Sequence, residues 1–264
     1  MIEREERPAS LPTRASDRAY VRAVALVQGR SPTQEIAQLI NTARAALQNH
    51  PRPTQLITYG GEGWLTRPLL SAGFVQSERV AFYQLTLTRR HSLFALPFAA
   101  RTQHTPPVAQ TTIHTATLRP ATPADLEPLA YLDAATFPPL WHFGTRDLWE
   151  LLWRSRLQVA TQPTGGSENG GNEEIVGYSA LTTTGDEAQL ARLAVHPNAQ
   201  GQGIGKSLLQ DVIDYARANT LRAINLNTQS NNLPAQHLYR QLGFRATGLV
   251  IPIYTLECVP VARV

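Results

Sequence analysis

With 264 residues, 42% apolar and 17% charged, the chain has the length of one large or two small domains and the composition of an ordinary globular protein. A net charge of +4, a pI of about 9.5 and no basic run longer than Arg89-Arg90 argue against nucleic acid as a partner. The single cysteine, Cys258, excludes an intrachain disulfide and a cysteine-based metal site, while the charged residues 1–7 and the lack of long apolar runs predict a cytoplasmic chain with no membrane partner.

The first clear element is an amphipathic helix over 33–49, with Ile36, Leu39, Ile40, Ala43 and Leu47 on one face. Ser31, Pro32 and Gln34 supply its start signal. "TQLITY" (54–59) reads as a strand, and Gly60-Gly61-Glu62-Gly63 as a turn into a second helix. Residues 91–114 carry Pro106-Pro107 and no sustained period, so they read as a linker. A strand follows at 115–123, then helices at 124–136 and 145–155 with leucines at helical spacing. Strands are expected at 156–162, 173–184 and 187–197, the first two joined by a Gly- and Asn-rich loop. A helix over 203–219 presents Ile204, Leu208, Leu209, Val212, Ile213 and Ala216 on one face, and a further strand spans 224–229. The order β-α-α-β-β-β-loop-α-β-α-β predicts an α/β domain with a mixed sheet.

The two halves resemble each other. Aligning Gly73-Phe74 with Gly243-Phe244 sets an offset of 170 residues, at which "TQLITY" falls on "INLNTQ" and Leu69 on Tyr239. Each half also places an amphipathic helix before that strand, so the chain reads as two copies of one unit, the first lacking its leading portion.

The most informative segment is "AVHPNAQGQGIGKSLLQDVIDYA" (194–216). Gly205-Lys206-Ser207 imitates the end of a P-loop, but the glycine required five positions earlier is Gln200, and the strand after the helix offers no Asp for magnesium. A dinucleotide fingerprint fails as well, because Lys206 stands where its last glycine belongs. What remains is Gln200-Gly201-Gln202-Gly203-Ile204-Gly205 between an apolar strand and an amphipathic helix. Amides at such a helix start, with the positive end of its dipole, suit a pyrophosphate, and the sole lysine of the chain, Lys206, sits in the first turn with Ser207.

With "NNLPAQHLYRQLGF" (231–244) following at a suitable distance, residues 115–257 resemble the GNAT superfamily of acyl-CoA-dependent N-acetyltransferases. The resemblance implies a GNAT-type mixed, mostly antiparallel central sheet flanked by helices, with a partial second GNAT-like unit at the N-terminus. It divides the chain into a degenerate unit (1–90), a linker (91–114) and a catalytic domain (115–264). It implies acetyl-CoA as cosubstrate and a small-molecule or peptide amine as acceptor, and is compatible with a homodimer. Cofactor contacts are expected from Leu193, Ala194, Val195, Gln200, Gly201, Gln202, Gly203, Ile204, Gly205, Lys206, Ser207 and Asn232. By the same resemblance Tyr239 protonates the leaving thiolate, and an amide at Val195 or a neighbour polarises the carbonyl.

The family's strand glutamate falls on Gln189, which cannot take a proton, so Glu187, two residues earlier on the same strand face, is the candidate base, with water-mediated deprotonation or a solvated Glu187 as alternatives. Phe137, Trp141, His142 and Phe143 either line the acceptor pocket or pack inward. The first copy carries "ALVQGRSPTQEI" in place of the glycine loop, with Glu62 and Leu69 at the positions of Asn232 and Tyr239. It is expected neither to bind CoA nor to catalyse. A rival reading of another class is a non-catalytic acyl-CoA sensor or scaffold, which Gln189 keeps open.

Overall fold

The computed structural model describes residues 2–4, 17–21, 32–47, 54–60, 63–87, 112–113, 116–163 and 173–258. The linker apart from 112–113, the Gly-rich loop 164–172, Gly61-Glu62 and Ser31 lie outside these residues. The chain forms two compact units, and they do not follow sequence order. The first combines Met1–Phe82 with Asn227–Ala235 and Ala246–Val264, and the second combines Tyr83–Leu226 with Gln236–Arg245.

In the second unit the elements follow the sequence pattern closely. Strands β5 (Thr112–Ile113), β6 (Ala116–Pro120), β7 (Arg156–Pro163), β8 (Glu173–Thr184) and β9 (Glu187–Val195) form an antiparallel series. β10 (Ala223–Gln229) then pairs with β9 in parallel. The direction changes there because β8 reaches β9 through a tight turn, whereas β9 reaches β10 through a helix, and only a crossover returns a strand in the same sense. Helices α3 (Leu126–Thr136) and α4 (Thr145–Arg154) connect β6 to β7, and α3 packs on β8 and β9. Helix α5 (Ile204–Ala218) buries all six residues of its expected apolar face. It covers β7, β8 and β9 from the side of Gly177, where Leu208 and Ile204 press in. The α3 side belongs to the neighbouring residue of β8, Tyr178, whose hydroxyl reaches Asp133 of α3. Successive strand residues point to opposite faces, so the sheet is covered on both.

The entry to α3 is pinned by a buried carboxylate. Asp125 accepts two hydrogen bonds from Arg119 (2.8 and 2.9 Å) and one from the Thr122 amide (2.7 Å). Burial pushes this carboxyl up, but the Arg119 and Thr122 bonds outweigh it and hold Asp125 below the ordinary aspartate value.

In the first unit, β1 (Ile2–Arg4) lies antiparallel to β2 (Asp17–Val21), and β2 runs parallel to β3 (Thr54–Tyr59). The next strand is β11 (Arg245–Cys258), from the other end of the chain, whose Ile253–Cys258 pair antiparallel with Tyr59–Thr54. Beyond it lies β4 (Val75–Thr86). Helices α1 (Pro32–Leu47) and α2 (Gly63–Ser71) place Ile36, Ile40, Ala43, Leu65 and Leu69 in one core with Phe74, Tyr254 and Leu256. Among the described residues, no helix is long and apolar enough to cross a membrane.

The offset of 170 residues recurs in the structure. α2 begins at Gly63 and α6 (Leu233–Gln241) at Leu233, while β4 begins at Val75 and β11 at Arg245. Both helices end in the same way. The Phe74 amide donates to the Leu69 carbonyl and the Phe244 amide to the Tyr239 carbonyl, each at 3.0 Å. The glycines between take φ +89° and +91°, a left-handed end that satisfies the last carbonyls of a helix. An alanine there meets its own Cβ in a disfavoured region, at a cost of about 1–2 kcal/mol. Gly73→Ala and Gly243→Ala should therefore each lower unfolding free energy by about that amount, read as a lower denaturant midpoint at unchanged slope.

Candidate active site

β9 and β10 hold the key geometry. Their parallel register runs from Glu187–Ala223 to Leu190–Leu226 and stops there, although β9 continues to Val195. On its other edge β9 stays paired with β8 as far as Val195, opposite Gly177. The residues 191–195 thus form a strand with one paired edge and one edge without a registered β10 partner.

Val195 leads into the glycine loop. His196 closes the strand: its amide donates to Val176 (2.8 Å), and its Nδ1 accepts from the Asn198 amide (3.3 Å). Gln200 Nε2 donates to the Val195 carbonyl at 3.0 Å, so this side chain ties the loop back onto the strand end. Gln202 Oε1 accepts from Gln162 at 3.0 Å. Gly201 and Gly203 take φ +79° and +82°, with nothing within 4 Å of where a Cβ would sit. Glycine is required here for its left-handed backbone, and the space in front of both residues is open.

Gly203 is the N-cap of α5, whose first helical bond runs from the Ser207 amide to the Gly203 carbonyl (3.0 Å). The amides of Ile204, Gly205 and Lys206 precede it and have no helical acceptor. Lys206 is exposed on that first turn, and the Ser207 hydroxyl bonds the Gly203 carbonyl at 3.1 Å. A Cβ at Gly205 would lie 3.5 Å from both Val195 Cγ2 and Leu238 Cδ2, so the end of β9, the start of α5 and helix α6 converge on this glycine. Leu193 and Val195 pack beside Ile204 and Leu208, while Ala194 is buried.

The residue after Leu238 is Tyr239. It is 6% exposed, with its ring 6.0 Å from both Tyr83 and Phe244. Burial pushes its phenol up to about 12, so it carries its proton throughout the neutral range. Asn232 belongs to the first unit, where its Oδ1 accepts from the Ala235 amide at the start of α6 (3.2 Å).

Glu187 is not brought together with these residues. It stands at the opposite end of β9, eight residues before Val195, which is about 26 Å of extended strand. Its carboxylate is engaged by Arg222 and by Asn225 (2.8 Å). This pairing ties the first turns of β9 and β10 together.

The aromatic segment 137–143 packs around Arg192. Phe137 and Phe143 sandwich its guanidinium at 3.6 and 4.0 Å, with the cation over both ring faces. Arg192 donates to both Asp133 oxygens (2.8 and 2.7 Å) and to the Trp141 carbonyl. Asp133, fully buried, also accepts from Tyr178 and from the Phe143 amide (2.6 Å). Burial, then the adjacent Asp133 charge, push the Tyr178 phenol well above its ordinary value. No local motif in the sequence marks this cluster. Its signal was a lone Asp among the apolar residues of α3 and a lone Arg in the buried register of Ala188, Leu190 and Ala194.

Residues 126–244 match the Acetyltransferase (GNAT) family. The N-alpha-acetyltransferase RimI of Mycobacterium tuberculosis is 34% identical over 88 residues, covering 32% of this chain and 52% of that one. The chain spans about half the length of curated relatives it matches. In fold it is similar to a GCN5-related N-acetyltransferase from Sphaerobacter thermophilus, with TM-score 0.60, 16% identity, and coverage of 95% of this chain and 75% of that one. It is also similar to a tandem GNAT protein from the clavulanic acid biosynthesis pathway, with TM-score 0.57, 16% identity, and coverage of 93% and 77%. The fold is that of the GNAT proteins.

Tyr239 also links pH to stability. Its folded value, about 12, exceeds the ordinary 10.0, so the native state holds this proton more tightly than the unfolded chain. The associated stabilisation, about 3 kcal/mol, is complete below pH 10 and is lost as pH rises towards 12. The thermal midpoint should fall steeply between pH 10 and 12, and less steeply in Tyr239→Phe. Equal slopes in the two proteins would remove Tyr239 as the cause.

Proposed function

We propose that the chain is an acetyl-CoA-dependent N-acetyltransferase that moves the acetyl group directly to a primary amine. The observation that carries this reading is the junction of a strand edge left open beyond Leu190 with a left-handed glycine loop and the unbonded amides of α5. Ile204, Gly205 and Lys206 would offer amides to the pyrophosphate, and the open edge of β9 would hold the pantetheine arm. Gln200, on this geometry, shapes the loop through Val195.

In the reaction the amine nitrogen bonds to the thioester carbonyl carbon and the C–S bond breaks. Tyr239 gives its proton to the departing sulfur and regains one from solvent, and the excess amine proton leaves to solvent. An amide of β9 at or near Val195 stabilises the oxyanion. A phenol near 12 is a weak donor to an ordinary thiolate, but the burial that raises the phenol also raises the basicity of a thiolate held against it. With Glu187 engaged elsewhere and Gln189 unable to titrate, deprotonation through water is the base route the geometry favours.

Release of CoA thiol from acetyl-CoA with a panel of small amines and peptide N-termini tests the reading. CoA binding without turnover on any amine would favour a sensor instead. Tyr239→Phe should lower kcat by on the order of a hundredfold with CoA affinity retained, and turnover at the wild-type rate would remove the tyrosine from the mechanism. Gly203→Val, forced into left-handed backbone, should weaken CoA binding by about tenfold, as 1–2 kcal/mol of strain requires. Calorimetry reads this directly, and unchanged affinity would sink the glycine cradle.

A further inference from the structure

We infer that Tyr83, contributed by the degenerate first copy, is a positioning residue for Tyr239. This rests on the acetyltransferase reading above and adds to it what the first copy supplies to the reaction.

Tyr239 has an unusual support. Among the described residues its hydroxyl has no hydrogen-bond partner in the protein, so the aim of the phenol is set by what packs on the ring. Two aromatic neighbours do this, Tyr83 and Phe244, each with its centroid 6.0 Å away and its plane tilted by 53° and 54°. Such tilted contacts fix ring orientation as well as burying area. Phe244 belongs to the same copy as Tyr239, and its place is set by the helix end, where its amide bonds the Tyr239 carbonyl. Tyr83 lies in β4, 156 residues earlier in the chain.

Tyr83 is itself fixed from two sides. It is 3% exposed, its hydroxyl donates to Gln236 Oε1 at 3.0 Å, and Arg240 donates to both that hydroxyl (3.2 Å) and Gln236 Oε1 (2.9 Å). Gln236 and Arg240 lie on α6 three residues before and one residue after Tyr239, so this triangle clamps the helical turn that carries it. On the strand side, the Leu87 amide donates to the Arg222 carbonyl (2.8 Å) and Gln84 Nε2 to Asn225 (2.9 Å), which seats the end of β4 beside β10. The ring of Tyr83 is thereby held rigidly against the proposed acid.

The first unit shows the reciprocal arrangement. There β11, from the second copy, places Tyr254 in one cluster with Leu69 and Phe74, the counterparts of Tyr239 and Phe244. Each copy lends its last strand to the helix of the other. In the first copy the helix residue is leucine and the contact is only packing. In the second it is a phenol, so the lent strand sets the direction of a proton donor.

A double-mutant cycle tests this. Tyr83→Leu should lower kcat by about tenfold to a hundredfold, as expected when a reacting group is displaced by a fraction of its bond-length reach, with KM for acetyl-CoA and CoA affinity little changed. Tyr83→Phe keeps the ring and should recover most of the loss. In a Tyr239→Phe background, where there is no phenol to aim, Tyr83→Leu should change kcat by less than about twofold. Equal losses in both backgrounds, or no loss in either, would overturn the inference. Undiminished turnover in Tyr239→Phe alone would instead strike the acid assignment, which separates the two failures. Retained CoA affinity in Tyr83→Leu shows that the loss is not misfolding.

Discussion

The second unit is organised by the early end of one strand pairing. β9 and β10 remain in register for the four pairs from Glu187–Ala223 to Leu190–Leu226, and the remainder of β9 is held from the β8 side alone. A parallel pair zipped along its whole length would leave no backbone edge for a ligand to use. In the first unit the described part of β2 pairs with β3 as far as Tyr20–Ile57 and Val21–Thr58, and Ile57 and Thr58 correspond at the offset of 170 to Asn227 and Thr228, beyond the stopping point of β9 and β10.

An open strand edge must be held in shape from elsewhere, and Asp133 does much of this. Its buried carboxylate accepts hydrogen bonds from Tyr178 on β8, Arg192 on β9 and the Phe143 amide of the segment after α3. Arg192 in turn joins the Trp141 carbonyl and the rings of Phe137 and Phe143. A buried ion pair rarely adds net stability over an apolar pair of similar volume, and its better-attested use is to specify one arrangement. Here four donors converge on one carboxylate from three elements, so the relation of α3, β8, β9 and the aromatic segment has little freedom. Phe137 and Phe143 are therefore packed as struts around a cation.

Much of this was legible in the sequence because local rules agreed with the global fold. Helix α5 could be read from six apolar residues at helical spacing, all of them buried, and the glycine loop from its register against the helix start. The repeat was legible from one dipeptide, Gly-Phe, because a left-handed glycine followed by a buried aromatic is how both helices terminate. What was not legible depends on pairings made at long range. Nothing local in "RATGLVIPIYTLEC" says that its second half pairs with β3. Glu187 looked suitable as a base because only its face of the strand was visible, and the distance to Val195 and the partners Arg222 and Asn225 emerge only once β9 and β10 are laid side by side. Asp133 and Arg192 were overlooked individually because each is a single charge in an apolar register, and the pair has meaning only together.

A phosphate loop is a local device, and its presence or absence does not touch the strands that pack on α2 and α6. The strand β4 is different, since its Tyr83 covers the face of α6 that carries Gln236 and Tyr239, both buried. Removing that cover would expose an aromatic face worth a few kcal/mol of burial and leave Phe244 alone against the phenol ring. The reciprocal cover of α2 by Tyr254 and Leu256 of β11 makes each copy a part of the other's core. The recurrence at the offset of 170 residues is accordingly uneven: the left-handed glycine and buried phenylalanine stand at 73 and 74 as at 243 and 244, while Glu62 and Leu69 stand at the positions of Asn232 and Tyr239.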